Sequence, residues 1–301
     1  LMTNLWISGS TGFIGKHLQN YLSTFYDNII CISHNDKTLF LNDENHYTLN
    51  FLKYSEIESL ISKIGKPDIF IHLGWGDMHD SSSSVHLQEN VQASKNLLDC
   101  FFEHGIQKFI FIGSVDEYGN KNRLLSESTI PEGTLTPYAE GKRLVANYGF
   151  EKQKSSNQFF VHIRLCNTYG IGQKPSSLVN YLYNSTLTSR KAFVHPGNIF
   201  RDYIHISEVI HGIKLLLELN QSITVNLGSG KMISLQDFIL EFWSQLKQKN
   251  ENIVFESSFD PNNIPFDSRV DLSLLQKLTN WVPSLSLEDG VHLTLQDMFL
   301  K

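Results

Sequence analysis

Short apolar runs alternate along the first half of the chain with longer stretches in which apolar residues recur every three or four positions. The first pattern is typical of buried strands and the second of amphipathic helices. Strands are predicted at residues 5–8, 29–32, 69–73, 109–112 and 160–165. Helices are predicted from 15 to about 25, 54–64, 86–105 and 138 to about 153. This alternation predicts an α/β protein with a doubly wound parallel sheet.

The regular alternation weakens after residue 165. Glycine and proline then break the chain into shorter elements, which indicates a second, less regular lobe. These residues are Gly170, Gly172, Pro175, Pro196, Gly197, Pro261, Pro265 and Pro283. We therefore expect a main domain over 1–166, completed by about 203–227, and a smaller lobe, mainly 167–301, that binds substrate.

Charge and cysteine usage exclude several kinds of partner. The formal charge is −6, from 25 Lys+Arg and 31 Asp+Glu, and no basic run is long enough for nucleic acid or an anionic membrane surface. No apolar run approaches the roughly 20 residues of a membrane span. Cys31, Cys100 and Cys166 lack a metal-ligand spacing, so we expect free thiols, a cytoplasmic location and no metal site.

A glycine loop follows the first predicted strand and opens the first predicted helix. In Gly9-Ser-Thr-Gly12-Phe-Ile-Gly15, the glycines permit a tight turn and a close approach of the backbone to a pyrophosphate at the helix N-terminus. The loop predicts a Rossmann-type NAD(P)-binding domain. The expected contacts are Gly9, Thr11, Gly12, Phe13, Ile14 and Gly15.

The end of the second strand bears on the choice of cofactor. An acidic residue at this place accepts hydrogen bonds from the adenosine ribose of NAD and repels a 2′-phosphate. Here the strand ends in Ser33 and His34, which are neutral hydrogen-bonding residues, and the first carboxylate is Asp36. This favours NADP(H) over NAD(H), with Ser33 and His34 as contacts, and leaves NAD(H) possible.

A serine, a tyrosine and a lysine carry the candidate chemistry. Ser114 follows the fourth predicted strand, and Tyr138 and Lys142 are four residues apart on one face of a predicted helix. The ammonium can stabilise a phenolate and lower the pKa of Tyr138, so that the tyrosine exchanges a proton with a sugar oxygen while a hydride moves. Ser114 can hydrogen-bond the same oxygen.

Taken together, these motifs resemble the extended short-chain dehydrogenase/reductase family of nucleotide-sugar epimerases, dehydratases and reductases over nearly the whole chain. The resembling segments are 9–15, 71–75, 89–91, 114–119, 138–142, 164–170, 200–205, 226–228 and 281–283. The resemblance implies that Ser114, Tyr138 and Lys142 are catalytic and that Lys142 holds the nicotinamide ribose.

Further site residues follow from the same resemblance. Its cofactor contacts are Asn50, Phe51, Leu73, Gly74, Trp75, Asn90, Tyr138 and Lys142, with Asn50 and Phe51 near the adenine. Its substrate contacts are Ser114, Asp116, Asn167, Leu178, Arg201 and Arg269. Asn167 and Arg201 match positions that contact the substrate pyrophosphate, a task that suits a guanidinium.

Family members carry out several reactions on one scaffold. Dehydratases of the family have Thr-Asp-Glu where this chain has Ser114-Val115-Asp116, so the first acid is missing. A 4-epimerase usually has the acid that is missing at Ser33. Segments 72–75, 116–119 and 169–178 look most like reductases of 4-keto-6-deoxy nucleotide sugars.

The resemblance therefore implies NAD(P)H-dependent reduction of a C4 ketone on a nucleotide-diphosphate sugar, with the proton coming from Tyr138. A 4-epimerase is the alternative, ahead of a dehydratase and a non-catalytic NAD(P)-binding module.

A homodimer is also expected, because the helices at 86–105 and 138–153 form a four-helix interface in relatives. The candidate residues are Leu97, Leu98, Phe101, Phe102, Leu144 and Tyr148. The same residues could instead pack on the sheet.

Overall fold

The computed structural model describes residues 3–33, 45–119, 123–153, 157–188, 190–256 and 269–299. The chain divides into two compact units. The first comprises Leu1–Asn120, Ile130–Leu165 and Ile213–Val225, and the second Lys121–Thr129, Cys166–Gly212 and Asn226–Lys301. His34, named above as a cofactor contact, lies outside the described residues.

A seven-stranded sheet organises the first unit. Its strands are β1 (Asn4–Ser8), β2 (Asn28–Ser33), β3 (His46–Thr48), β4 (Ile69–His72), β5 (Lys108–Ser114), β6 (Phe159–Leu165) and, after four short strands of the second unit, β11 (Ile223–Leu227). Their order is β11-β6-β5-β4-β1-β2-β3, and all pairings from β3 to β6 are parallel. The predicted α/β fold with a parallel sheet is confirmed.

The order of the strands reverses beside β1, whose neighbours are β2 and β4. Ligands of open α/β sheets bind at the carboxyl ends of the strands where the order reverses. The glycine loop and Ser114 both follow such strand ends, and every residue of β5 is buried. The sheet therefore carries the glycine loop and Ser114 to the same edge.

The helices of the first unit are α1 (Phe13–Leu22), α2 (Tyr54–Ile64), α3 (Val91–Glu103) and α4 (Pro137–Lys152). A π-helix at His86–Asn90 precedes α3, where the pattern had predicted one continuous α-helix. Helix α1 starts two residues before the predicted Gly15, because that glycine lies within the first turn against the loop.

The proposed dimer patch is largely core. Leu97, Leu98, Phe101 and Phe102 are buried in the cluster around Phe70. These four residues pack on the sheet, which was the alternative to a dimer contact. The prediction that they form a dimer contact was wrong, because the faces of α3 that carry them cover the sheet. Other members of the patch are more accessible: Leu144 is 37% exposed and Tyr148 donates a hydrogen bond to Asp99.

Short strands and helices make up the second unit. The strands are β7 (Asn167–Tyr169), β8 (Ala192–Val194), β9 (Phe200–Arg201), β10 (Tyr203–His205), β12 (Ile233–Ser234) and β13 (Ile253–Phe255), which pair as β7/β10, β9/β12 and β8/β13. The helices are α5 (Leu178–Leu187), α6 (Ile206–Leu217), which runs on into the first unit, α7 (Leu235–Gln245), α8 (Ser273–Thr279) and α9 (Leu287–Phe299). Phe238, Phe242 and Trp243 anchor its core.

The three cysteines are buried and unbridged. Within the described residues, no helix is both long and apolar enough to cross a membrane. No group of three or more metal-ligating side chains occurs in that part of the chain either.

Candidate active site

The glycine loop is built around backbone contacts that exclude side chains. Gly9 has a φ of +70°, and a Cβ there would lie 2.7 Å from the nitrogen of Gly74. A Cβ on Gly15 would lie 2.2 Å from the carbonyl oxygen of Gly9, so helix α1 can approach β1 only with glycine here. The Gly12 and Lys16 amides close the turn by donating to the Gly9 and Gly12 carbonyls.

Two features of this loop fit a bound pyrophosphate. Gly12 is the N-cap of α1 and offers no side chain to cap the amides of the first turn, which is where Phe13 and Ile14 lie. The Ser10 hydroxyl in the same loop is buried and has no hydrogen-bond partner. An orphaned buried donor is costly, and a phosphate oxygen at the helix N-terminus would satisfy it.

The end of β2 is neutral in the part of the chain that is described. The Ser33 hydroxyl lies 3.4 Å from the Thr48 hydroxyl and 3.3 Å from Nε2 of His46, which belong to the adjacent strand β3. Sequence reasoning named Ser33 but missed Thr48 and His46, because the short polar β3 gives no strand pattern. These three side chains form a hydrogen-bonding group at the place where the ribose acid of NAD-binding domains stands.

His72 ties the loop to the end of β4. Its Nδ1 lies 2.7 Å from the Ser8 hydroxyl and its Nε2 2.9 Å from the Ser94 hydroxyl, while Ser8 also accepts a hydrogen bond from the Gly74 amide. Burial lowers the pKa of His72 to about 3, so the ring is neutral. Leu73 also donates its amide to the Ser8 carbonyl, which fixes the 73–75 segment beside the glycine loop.

The other predicted cofactor contacts surround this segment. Phe51 is buried, and a Cβ on Gly74 would lie 3.5 Å from its ring. Asn50 caps the turn before α2, accepting from the Leu52 amide. The side-chain oxygen of Asn90 accepts a hydrogen bond from the Gly76 amide, and its side-chain nitrogen donates one to the Gly76 carbonyl.

Ser114 ends β5 and begins a 3₁₀ turn at Val115–Tyr118. Its hydroxyl accepts from the Asp116 amide at 3.1 Å, and its amide donates to the Glu117 carboxylate at 2.8 Å. This reciprocal arrangement is a capping box. Ser114 is thereby held in one orientation at the end of the strand.

Helix α4 brings Tyr138 to that hydroxyl. Thr136 caps the helix by accepting from the Ala139 amide, and Pro137 occupies the first turn, so Tyr138 lies at the helix start. Burial raises the pKa of Tyr138, hydrogen bonding with the Ser114 side chain partly offsets this, and the carboxylates of Asp116 and Glu117 raise the pKa further.

The predicted lowering of this pKa by Lys142 is therefore wrong for this structure. The Lys142 Nζ lies 6.0 Å from the centroid of the Tyr138 ring and donates its hydrogen bond to the carbonyl of Ile112, at 2.8 Å. Burial lowers the pKa of Lys142 to about 7, which leaves the amine only partly charged near neutrality.

Trp75 lies against the lysine. The Lys142 Nζ is 3.9 Å from the centroid of the indole, and the indole nitrogen donates to Nδ1 of the buried His86. The Tyr138 ring packs edge-on against both Trp75 and His86. The sequence indicated Trp75 as a cofactor contact but gave no sign of this aromatic support.

A buried ion-pair group lies behind Ser114 and was not predicted. Glu117 is fully buried, with Oε1 3.1 Å from Nε2 of His162 and Oε2 3.5 Å from Nε of Arg164. Burial by itself raises the pKa of Glu117, but His162, Arg164 and the Ser114 amide outweigh it and hold the pKa below its usual range. Two signals in the sequence could have indicated this group. One is the Ser-x-x-Glu pattern, and the other is the two-residue spacing that puts His162 and Arg164 on one face of a strand.

The remaining predicted substrate contacts lie in the second unit. Asn167 and Arg201 flank Asp202 there, since both nitrogens of Asn167 point to the Asp202 carbonyl and Arg201 precedes it. The buried Asp202 carboxylate accepts from the amides of Ser229 and Gly230. Leu178 begins α5, and Arg269 is exposed.

Known proteins are similar to this chain over most of its length. A model of the NAD dependent epimerase/dehydratase family matches residues 5–228. An uncharacterised UDP-glucose epimerase of Bacillus subtilis is 25% identical over 95% of this chain and 94% of its own. The CDP-abequose synthase of Salmonella typhimurium is 22% identical over 95% of each chain.

Among solved structures, the UDP-glucuronic acid 4-epimerase of Bacillus cereus, in complex with UDP-glucuronic acid and NAD, has a TM-score of 0.82 at 22% identity and covers 99% of both chains. At this identity the likeness shows the fold.

Proposed function

Because the chain belongs to the NAD dependent epimerase/dehydratase family, as its motifs predicted, we propose that it reduces the C4 ketone of a 4-keto-6-deoxy nucleotide-diphosphate sugar. It is an enzyme that acts on a nucleotide sugar. The observation that carries the choice of reaction is the neutral end of β2, where Ser33 lies beside Thr48 and His46, because a 4-epimerase of the family usually has an acid at the place of Ser33.

A reduction of this kind needs an acid. The reduced nicotinamide, when bound, supplies the hydride for the carbonyl carbon. Tyr138 gives its proton to the carbonyl oxygen, which becomes the alcohol, because an alkoxide is a stronger base than the phenolate left behind. Ser114 orients the same oxygen, and a donor aimed at a developing oxyanion contributes about 3 to 4 kcal/mol in comparable sites.

The fit of a dinucleotide rests on the orphaned Ser10 hydroxyl and the uncapped start of α1. We propose NADP(H) as the preferred cofactor, because Ser33, Thr48 and His46 offer hydrogen bonds and no carboxylate at the end of β2. The solved relative named above holds NAD, so NAD(H) is the alternative, and the ratio of KM values for the two cofactors separates them.

Dehydration is disfavoured by the residue after Ser114. The first of the two acids of dehydratases is replaced by Val115, which is buried and carries no charge, while Asp116 keeps a carboxylate in the second place. A 4-epimerase is the second candidate, favoured by the Bacillus subtilis relative. Its first step takes a proton from a sugar hydroxyl, for which a phenol with a raised pKa is poorly suited.

For the substrate, we propose that Asn167, Arg201 and Arg269 bind the pyrophosphate and that Leu178 borders the sugar or nucleotide. A guanidinium suits two phosphates because it is always charged and can donate two parallel hydrogen bonds. We also propose a homodimer through α3 and α4, with the partly exposed Leu144 at the contact.

Deuterium transfer tests the proposal. With NADPH labelled at C4 of the nicotinamide, the product sugar should carry one deuterium at its own C4, seen by mass spectrometry and NMR. An epimerase would return unlabelled product and leave the added cofactor unoxidised. Tyr138→Phe supplies the matched inactive control.

A further inference from the structure

Glu117 has no part in the proton transfer, yet it is a fully buried carboxylate bonded to a catalytic residue. A buried charge is costly unless its partners compensate it, so its retention calls for a reason. We propose that Glu117 is a positioning residue of the proposed reductase, fixing the Ser114 hydroxyl against Tyr138 and providing a negative counter-charge for the Lys142 amine.

The first role follows from the 3₁₀ turn. Glu117 reaches back to the Ser114 amide at 2.8 Å, while the Ser114 hydroxyl accepts from the Asp116 amide. Without the carboxylate, the Ser114 amide at the end of β5 is left buried and unpaired, and the turn loses one of its two closing bonds. The Ser114 hydroxyl then becomes free to rotate away from Tyr138.

The second role follows from what surrounds the lysine. Lys142 is 4% exposed, and its hydrogen bond goes to a neutral carbonyl. The lysine is bonded to the Ile112 carbonyl and the Glu117 carboxylate packs on the next residue, Gly113, so both groups lie on the end of β5. Glu117 raises the pKa of Lys142 against the effect of burial. Among the described residues, the other titratable or charged groups that act on Lys142, Tyr138 or Glu117 are His72 of β4, Asp116 of the turn, His162 and Arg164 of β6 and Arg143 of α4.

The carboxylate cannot move far. A Cβ on Gly113 would lie 2.3 Å from Glu117 Oε1 and 2.2 Å from Nε2 of His162, so this pair packs directly on the backbone of β5. His162 is held in turn by the Thr224 hydroxyl at 3.2 Å. The position of the charge is therefore set by the sheet itself.

Two substitutions should move the titration of Lys142 in opposite directions. Glu117→Gln removes the negative charge and keeps an oxygen for the Ser114 amide, so the Lys142 midpoint should fall by about one pH unit. Arg164→Gln removes a positive charge that partly neutralises Glu117, so the midpoint should rise. Glu103→Gln, an exposed change at a residue bonded to Tyr54, is the matched control and should leave the midpoint unchanged.

The midpoint is measured as the ¹³Cε shift of Lys142 in ¹³C-lysine-labelled protein, assigned by its absence in Lys142→Arg. This readout needs no turnover, so it remains informative if the reductase proposal fails. Coincident titrations of the wild-type and Glu117→Gln proteins, or shifts of the two variants in the same direction, would overturn the electrostatic role. If Glu117→Gln does not fold, the alkaline shift in Arg164→Gln decides alone.

The orienting role is tested by a kcat against KM comparison on the reductase. Glu117→Ala should lower kcat by about tenfold or more and leave both KM values nearly unchanged, because misorientation affects the transition state and not ground-state binding. At a pH below the lowered Lys142 midpoint, Glu117→Gln should retain much of the kcat that Glu117→Ala loses. Equal kcat values for the wild-type and Glu117→Ala proteins would contradict it.

Discussion

The Lys142 Nζ lies 3.9 Å from the centroid of the Trp75 ring, with the indole itself hydrogen-bonded to His86. A cation over an aromatic face is stabilised, most strongly when water is excluded. Trp75 therefore favours the charged form of a lysine whose pKa burial has lowered to about 7. The aromatic ring and the Glu117 carboxylate act in the same direction on the lysine amine.

Replacing Trp75 by leucine should weaken this support. Losing roughly 1 kcal/mol of stabilisation of the charged amine lowers its pKa by most of one unit. We expect the alkaline limb of kcat to shift to lower pH in Trp75→Leu and to return most of the way in Trp75→Phe, which keeps a ring. Trp281→Leu, where the indole packs on His211 in the second unit, is the control. An unshifted limb in Trp75→Leu would exclude the cation–π contribution.

Tyr138→Phe should abolish turnover and leave cofactor binding nearly intact. The substitution removes the phenolic oxygen that gives the proton and keeps the ring that packs on Trp75 and His86. NADPH affinity measured by fluorescence titration, beside single-turnover rates, separates the two effects. Undiminished turnover in this variant would rule out Tyr138 as the proton donor.

Ketone reduction should slow as pH rises through the pKa of Lys142, about 7 in this structure, because the amine loses the charge that strengthens its expected hydrogen bonds to the nicotinamide ribose. The pKa of Tyr138 is raised, so the tyrosine stays protonated over this range and adds no limb of its own. Lys142→Arg keeps its charge throughout and should show lower but pH-independent rates. A wild-type rate that rises with pH across neutrality would contradict the assignment.

Acid should destabilise the fold through His72. Its pKa is about 3 in the folded protein against 6.5 for a free histidine, so the unfolded chain binds the proton first. The free energy of unfolding should therefore fall as pH decreases from 6.5 toward 3 and be unaffected by this residue above 6.5. Denaturant midpoints of wild-type protein and His72→Gln should converge in this window, while the exposed His104→Gln should track wild type. Parallel curves for wild-type and His72→Gln proteins would refute it.

Gly15→Ala should disrupt the cofactor site, since its Cβ would meet the Gly9 carbonyl at 2.2 Å. We expect a loss of NADPH affinity of at least about tenfold, because the loop cannot keep its turn while α1 packs on β1. Lys16→Ala, on the exposed side of the same helix, is the control. Wild-type affinity in Gly15→Ala would show that the loop is not the phosphate site.

The elements with strong local patterns were predictable from the sequence. Helix α2 was placed to the residue, and the five predicted strands differ from the observed ones by one or two residues at their ends. The short strand β3 and the π-helix at His86–Asn90 were not found, since three residues are too few to show an alternation and a single π-helical turn is too short to show a period of its own.

At the site, the sequence identified the Ser114, Tyr138 and Lys142 group because strand ends and a four-residue spacing define it. It missed the partners that arrive from elsewhere in the chain. His162 and Arg164 reach Glu117 across 45 and 47 residues, and Trp75 meets Lys142 through the packing of α4 on the sheet. Such contacts depend on strand order and register. The direction of the Tyr138 pKa shift was missed for the same reason, because burial is a property of the fold.

The most direct test of ketone reduction is to follow the absorbance of NADPH, and separately of NADH, while 4-keto-6-deoxy sugars on different nucleotides are added to the purified enzyme. We predict oxidation that depends on one of these ketones and runs faster with NADPH. No oxidation with any ketone, together with tightly bound NAD released when the protein is denatured, would contradict the reductase and indicate a 4-epimerase.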